Sequence, residues 1–384
     1  MLLYLSAGTA YEIYDDLFER GLFRNGGCYQ AQRFNFNIIK GLSHFEEVTA
    51  VSALPYGDVE HSEIDETVSG VHYIGIRNRV GFLHKYYNVK YLVQKGSEVI
   101  KKNNVRFILC DAISLCHEIA ALALAKRYHI PVIAIVTDLP EVMCSGKMSM
   151  QGRLDAFLMK RFDGYVLLTR QMNDIANPRN KPSMIMEGSC SCDYPCKEGF
   201  STKEKSVCIY GGSLWERAAG IEYLMDGFLK ANVPNCELHL YGTGALVERI
   251  QSISAQHPQI QYKGCVTNKE LLLRQAEADL LINPRPSTEA FCKYSFPSKT
   301  FEYMASGTPA LMTKLPGILE EYFEHVFTIE QETADGMCEA LRDVFGRSPE
   351  ELLEKGRRAR EFVTTKKNNV VQARRIFEFL QIFV

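Results

Sequence analysis

Short apolar strands alternate with helical stretches along almost the whole chain, and this alternation constrains the fold more than any other feature. Residues 105–110 form an apolar run, residues 117–128 read as a helix, and residues 131–136 and 165–168 read as further strands. The scheme restarts at Ser206. Residues 207–210 form a strand broken by Gly211-Gly212, and residues 221–229 a helix. Residues 238–241 form a strand broken by Gly242-Thr243-Gly244, residues 279–283 another strand, and residues 296–306 a helix. Strands separated by helices predict parallel sheets covered on both faces. Between the two series, residues 188–205 are polar and lack an apolar period. The expected fold is therefore α/β, with a Rossmann-like domain over 1–188 and a second doubly wound domain over 189–368. Residues 369–384 read as a helix with Val371, Ile376, Phe377 and Leu380 on one side, expected to pack back on the N-terminal domain.

The 384 residues carry a formal charge of −2, so no global basic field attracts nucleic acid. No apolar run approaches the roughly 18 residues that cross a bilayer. The start, Met1-Leu2-Leu3-Tyr4-Leu5-Ser6, lacks the basic region of a signal peptide and reads as a first strand. A cytoplasmic protein is expected. Most of the 12 cysteines, such as Cys110, Cys208 and Cys292, lie in apolar settings and read as buried reduced thiols. Cys190, Cys192 and Cys196 form a cluster, but their spacing is not that of a zinc site, so no metal is expected there.

In open parallel sheets, ligands bind beyond the carboxyl ends of the strands. Three loops follow strands in the second half: Gly211-Gly212-Ser213, Gly242-Thr243-Gly244 and Pro284-Arg285-Pro286-Ser287. Glycine lets a phosphate or base approach the backbone, and the next helix offers N–H groups to an anion. A glycine pair also suits a tight strand–helix turn. Three loops in one half-chain favour a ligand site.

The strongest local pattern runs from Tyr294 to Gly307. Ser295 is expected to cap a helix, Pro297 to sit in its first turn and Gly307 to end it. Ser298, Lys299 and Glu302 then share one side, at spacings of three and four. Ser298 and Lys299 add a hydroxyl and a cation to the helix N-terminus, which suits a diphosphate. Glu302, one turn deeper, can accept from a ribose diol. A surface Lys–Glu pair is the alternative reading.

With these residues in place, the stretch from Asn283 to Pro309 resembles the donor-binding signature of family-four glycosyltransferases of the GT-B fold. It looks most like the bacterial capsule and exopolysaccharide assembly branch, which carries a Phe-Pro-Ser-Lys run before the acidic helix residue. Tyr210-Gly211-Gly212-Ser213-Leu214 resembles the first donor loop. Gly242-Thr243-Gly244 and Tyr262-Lys263-Gly264-Cys265-Val266 resemble the later strands, with Cys265 and Val266 where the family holds the nucleobase. Gly26-Gly27 resembles the flexible glycine loop, and residues 131–140 the strand ending at the sugar.

The resemblance implies two Rossmann-like domains facing across a cleft and a nucleotide-diphospho-sugar donor held by the C-terminal domain. It implies transfer with retention of configuration, without a divalent metal or other cofactor; the chain has no Asp-x-Asp triplet. Three positions depart from the family. Tyr294 stands at the first of its two glutamates, leaving Glu289 as a substitute. Its Arg and Lys pair in the first donor loop falls on Ser213 and Ala219, leaving Arg285 and Lys299 as the diphosphate cations. Its sugar-contacting histidine falls on Thr137, so Asp138 is the candidate sugar contact. His117 reads as a satisfied helical histidine rather than a catalytic one.

The implied function is a glycosyltransferase acting on a glycan or lipid-linked acceptor. A GT-B-like nucleotide-sugar epimerase and a non-catalytic nucleotide-sugar-binding protein are the rivals. Residues 85–102 mix Tyr86, Tyr87 and Tyr91 with five lysines, and residues 147–161 mix Met150, Leu154 and Phe157 with four basic residues. Both segments read either as solvated basic faces or as contacts with the inner membrane surface.

Overall fold

A computed structural model describes residues 1–19, 29–54, 64–77, 83–143, 147–191, 193–199, 205–215 and 220–384. The chain divides into two compact units, one of Met1–Ser189 with Asn369–Val384, the other of Cys190–Asn368.

The first unit is built on eight strands: β1 (Leu2–Leu5), β2 (Val48–Leu54), β3 (Ile64–Val68), β4 (Val71–Arg77), β5 (Phe107–Asp111), β6 (Val132–Val136), β7 (Gly164–Leu167) and β8 (Ser183–Ile185). Their order is β3-β4-β2-β1-β5-β6-β7-β8, parallel except for the β3–β4 hairpin. The sequences Leu-Leu-Tyr-Leu of β1 and Val-Ile-Ala-Ile-Val of β6 are buried on both faces, as central parallel strands require. The helix Asn369–Leu380 belongs to this unit, and Ile376, Phe379 and Leu380 join its core. It crosses the helix Tyr29–Leu42 at Gly41, where a β-carbon would stand 2.7 Å from that of Ala373. Gln372 Nε2 donates to the Gly188 carbonyl at 2.7 Å, tying this helix to the last residues before the unit boundary.

The second unit holds β9 (Ser206–Gly211), β10 (Cys236–Tyr241), β11 (Ile260–Gly264), β12 (Leu280–Asn283), β13 (Ala310–Thr313) and β14 (Phe327–Ile329), all parallel, in the order β11-β10-β9-β12-β13-β14. The strand order reverses between β9 and β12, the Rossmann arrangement, and this topological switch point is where such sheets bind ligands. The segment entering the unit is pinned by a buried ion pair. Lys197 Nζ lies 3.6 Å from Asp279 Oδ1, while Asp279 Oδ2 accepts from the Val207 amide at 2.8 Å. Cys190 is buried with its Sγ 3.1 Å from the Val363 carbonyl, and Cys196 is exposed; Cys192 lies outside the described residues. Among the described residues no group of metal-ligating side chains comes together, and no helix is long and apolar enough to cross a membrane.

Candidate functional site

The loop after β9 is shaped by three close backbone approaches. The Gly212 amide donates to the Tyr241 carbonyl at 2.9 Å, Leu214 N to Thr243 O at 2.9 Å, and Leu246 N to Leu214 O at 3.0 Å. A β-carbon at Gly242 would fall on the Gly212 carbonyl, and one at Gly244 on the backbone of Leu214. These two glycines are explained by the interlock of the β9 and β10 loops, since their α-carbons face protein rather than open space. In the sequence they read, like Gly212, as donor-loop glycines. The structure gives them a shaping role for the loop that carries Gly211, Gly212 and Ser213.

Gly212 is different. Its φ is +149°, a conformation that L side chains rarely adopt, and a β-carbon there would meet the Lys299 ammonium. Lys299 is half-buried in the first turn of the helix Ser298–Ser306. Its Nζ donates to the Tyr210 hydroxyl at 3.2 Å and stands 4.6 Å from the centre of that ring. The Tyr210 hydroxyl in turn donates to the Ser213 carbonyl at 2.7 Å. A cation, a glycine backbone and a helix N-terminus thus converge at the carboxyl end of β9.

The helix itself begins later than the sequence suggests. Ser295 does not cap it: Ser295 ends the 3-10 turn Ala290–Tyr294, and the capping position is Pro297, which has no side-chain hydrogen bond to offer. A residue preceding the Phe296-Pro297 pair sits too far upstream for its hydroxyl to serve amides beginning at Ser298. Ser298 is the exposed first residue, Gly307 closes the helix in the left-handed conformation, and Glu302 is buried one turn in.

Arg285 follows β12, the strand paired with β9, so its backbone leaves the sheet beside Gly211-Gly212. Its Nη1 is buried and has no hydrogen-bond partner among the described residues; its guanidinium carbon lies 5.4 Å from the Phe291 ring centre. A buried guanidinium N–H without an acceptor is costly, and an anion reaching this Nη1 would satisfy it. Gly220, with φ +65°, lets the chain before helix Ile221–Ala231 touch the Pro284 carbonyl, and the Tyr223 hydroxyl donates to that same carbonyl.

Four tyrosine hydroxyls therefore brace the loops, which sequence reasoning missed. Tyr210 serves Lys299 and Ser213, Tyr223 the Pro284 carbonyl, Tyr262 the Gly242 carbonyl at 2.9 Å, and Tyr303 accepts from the Gly211 amide at 3.3 Å. Of the four, only Tyr210, directly before Gly211, stands out in the sequence; Tyr223 and Tyr303 lie on helices and Tyr262 within β11.

Cys265 is exposed just after β11. Val266 lines a cavity of about 350 Å³ with Tyr241, His239, Lys263 and Arg274. Glu289 is half-buried and precedes the turn that ends in Tyr294. Gly26, Gly27 and Ala219 lie outside the described residues.

In the first unit, Asp138 is exposed two residues beyond the carboxyl end of β6, with Thr137 half-buried before it. That sheet has its own switch point between β1 and β5. There Asp111 is fully buried and accepts from Asn35 Nδ2 at 2.7 Å; burial pushes its carboxyl up to about 7, the Asn35 bond opposing. His117 is buried, and its Nε2 accepts from the Ala53 amide at 3.3 Å. Burial holds it down to about 4, so it is a neutral packing group.

Residues 205–346 match the family described as glycosyl transferases group 1. No curated protein sequence matches the chain. Among solved structures it is similar to sucrose-phosphate synthase from Thermosynechococcus elongatus, at 14% identity and a TM-score of 0.71 over 100% of this chain and 99% of that one. Similarity to trehalose-6-phosphate from E. coli bound with UDP-2-fluoro glucose has a TM-score of 0.70 at 9% identity, covering 100% of both chains. The Anabaena Alr3699/HepE structure in complex with UDP and glucose matches with a TM-score of 0.62 at 13% identity, covering 99% of each chain. The fold shared with these proteins is GT-B.

Proposed function

We propose that this chain, a GT-B glycosyltransferase whose residues 205–346 form a glycosyl transferases group 1 domain, transfers a sugar from a nucleotide-diphospho-sugar to a glycan or lipid-linked acceptor with retention of configuration. The observation that carries the reading is the Lys299 ammonium seated on Gly212 at the strand switch point, beside the loop that holds Arg285. UDP is the first nucleotide to test, because two similar structures are described with UDP or a UDP-sugar. The resemblance to family four and its capsule and exopolysaccharide branch supports polysaccharide assembly as the setting, at the cytoplasmic face of a membrane.

Breaking the bond between the anomeric carbon and the diphosphate builds negative charge on the leaving phosphate. Fixed donors aimed at that charge are the main electrostatic contribution open to such a site. Lys299, Arg285, the amides of the Gly211-Gly212-Ser213 loop and the start of helix Ser298–Ser306 supply them. With this much fixed positive charge, no divalent metal is needed for the diphosphate. Glu302 accepts from the ribose hydroxyls, Cys265 and Val266 border the base, and Asp138 is assigned to a sugar hydroxyl. The departing phosphate takes the acceptor proton, so no protein base is required.

The test is a thermal-shift panel of nucleoside diphosphates and their sugars, followed by turnover of the best donor with and without acceptor. A ligand at 100 times its Kd adds about 2.7 kcal/mol of stability. Turnover only with acceptor is the expected result. Epimerised or hydrolysed donor without acceptor would mark the epimerase instead, and binding without any turnover a sensor.

A further inference from the structure

We propose that a cationic, apolar two-helix face of the first unit docks on an anionic lipid surface. The proposal rests on the glycosyltransferase reading for one thing only, the lipid-linked acceptor that makes a bilayer the natural partner.

Among the described residues ten large hydrophobic side chains are exposed, and six of them fall in two short segments: Leu83, Tyr86 and Tyr87, and Met150, Leu154 and Phe157. Met150 is 88% exposed and Tyr86 62%. Their spacing is not scattered. Leu83, Tyr86, Tyr87 and Lys90 recur at intervals that place them on one side of the helix His84–Lys102. Met150, Arg153, Leu154, Phe157 and Arg161 do the same along and just beyond the helix Met150–Met159, which buries only Ala156 and Met159. Both helices pack on the helix Leu115–Tyr128, and Lys85 Nζ donates to Gln151 Oε1, so their N-terminal turns are neighbours. The exposed stripes therefore belong to one surface.

That surface is strongly cationic. Residues 83–102 and 147–161 together carry nine lysines and arginines against two carboxylates; Lys160 pairs with Glu141 and Lys95 lies near Glu98, while Lys90, Lys147, Arg153 and Arg161 are exposed along the apolar stripes. The Arg161 guanidinium lies 4.1 Å from the Phe157 ring centre, so an apolar anchor and a cation share one spot. Helices with apolar anchors framed by basic residues lie in the plane of a bilayer interface, with lipid headgroups taking the charge. Charge also decides between occupants. A second copy would bring the same cations against these, whereas an anionic lipid surface complements them.

The experiment is co-sedimentation of the full chain with vesicles of phosphatidylcholine alone or of equimolar phosphatidylcholine and phosphatidylglycerol, at low and raised salt. Binding is expected only to the anionic vesicles and should weaken with salt. Each cation removed should lower the partition coefficient roughly fivefold, so Lys147→Gln with Arg153→Gln should lower it about twenty-five-fold. Met150→Ser, Leu154→Ser and Phe157→Ser together should lower it about tenfold or more. All five positions are exposed, so both variants should keep the parent's melting temperature and its affinity for UDP. No binding of the parent to anionic vesicles overturns the proposal, as does equal binding to neutral ones or unchanged binding by both variants. A dimer that the triple variant dissolves assigns the face to a second copy instead. Failure of UDP to bind, with vesicle binding intact, would count against the enzyme reading and leave the docking face standing.

Discussion

The ammonium of Lys299 occupies the space that a β-carbon on residue 212 would need. Gly212→Ala must therefore displace the cation, besides straining a backbone held at φ +149°. If the ammonium binds the diphosphate, displacing it removes a charge-assisted hydrogen bond, about 1.5–3 kcal/mol or roughly ten- to hundredfold in affinity. The two positions should be coupled. In a Lys299→Ala background the same Gly212→Ala change should cost far less affinity. Calorimetric titration of UDP into the four proteins of this cycle checks it, and equal losses in both backgrounds would show that the contact carries no function.

Lys299 and Glu302 should read different parts of one ligand. Lys299 stands in the first helical turn, where the helix dipole already favours an anion, and Glu302 is buried one turn along. Lys299→Ala should weaken UDP roughly ten- to hundredfold and uridine hardly at all. Glu302→Gln should weaken UDP but cost much less with the 2′-deoxy diphosphate. A surface Lys–Glu pair would instead give small, equal effects on every ligand.

Much of this site is legible in the sequence, for physical reasons. Central strands such as β6 are uninterrupted apolar runs because both faces are covered, and glycine after a strand marks a turn that only glycine can make. What the sequence does not separate is why each glycine is there. Gly212 faces a lysine from a helix about 85 residues later, while Gly242 faces the backbone of a neighbouring loop, and both read as glycine after a strand. The cap at Ser295 fails because local preference yields to the Phe296-Pro297 pair. The bracing tyrosines escape notice because their hydroxyls act across elements far apart in the chain, as Tyr303 does on Gly211.

Activity should survive a chelator. Arg285 keeps a buried Nη1 without a hydrogen-bond partner among the described residues, and Lys299 stands at the same switch point. Two cations and a helix N-terminus can offset a diphosphate without a divalent ion. Transfer measured in excess EDTA should match the untreated rate, and Arg285→Ala should lower it about tenfold or more. A loss in EDTA that manganese or magnesium restores would reverse the assignment.

Glu118 gives the first unit a stability that falls as pH rises. It is fully buried on the helix Leu115–Tyr128, facing Asp155 on the helix Met150–Met159, with Cys110 and Asp111 also nearby. Burial first, then the Asp155 carboxyl, pushes it from the ordinary 4.5 up to about 10. Between those values the folded chain keeps a proton that the unfolded chain has released. The native state then binds more protons, so stability declines with rising pH, by at most about 1.4 kcal/mol per pH unit for one group. His117 acts oppositely but only below its ordinary 6.5, and Asp111, raised to about 7, is half-titrated there and has lost most of its proton by about pH 8. The thiols of Cys110, Cys116, Cys208 and Cys292, all pushed up by burial, enter as pH nears their ordinary 9.0. Those other groups are common to parent and variant, so the difference in slope between the parent and Glu118→Gln across about pH 7.5 to 8.5 reports Glu118. Urea unfolding across that window should show Glu118→Gln more stable than the parent, with a slope shallower by up to about 1.4 kcal/mol per pH unit, while Asp111→Asn changes the slope much less. A Glu118→Gln protein with the parental slope would mean that Glu118 is ionised in the folded state and that its burial is offset by a cation rather than by a proton.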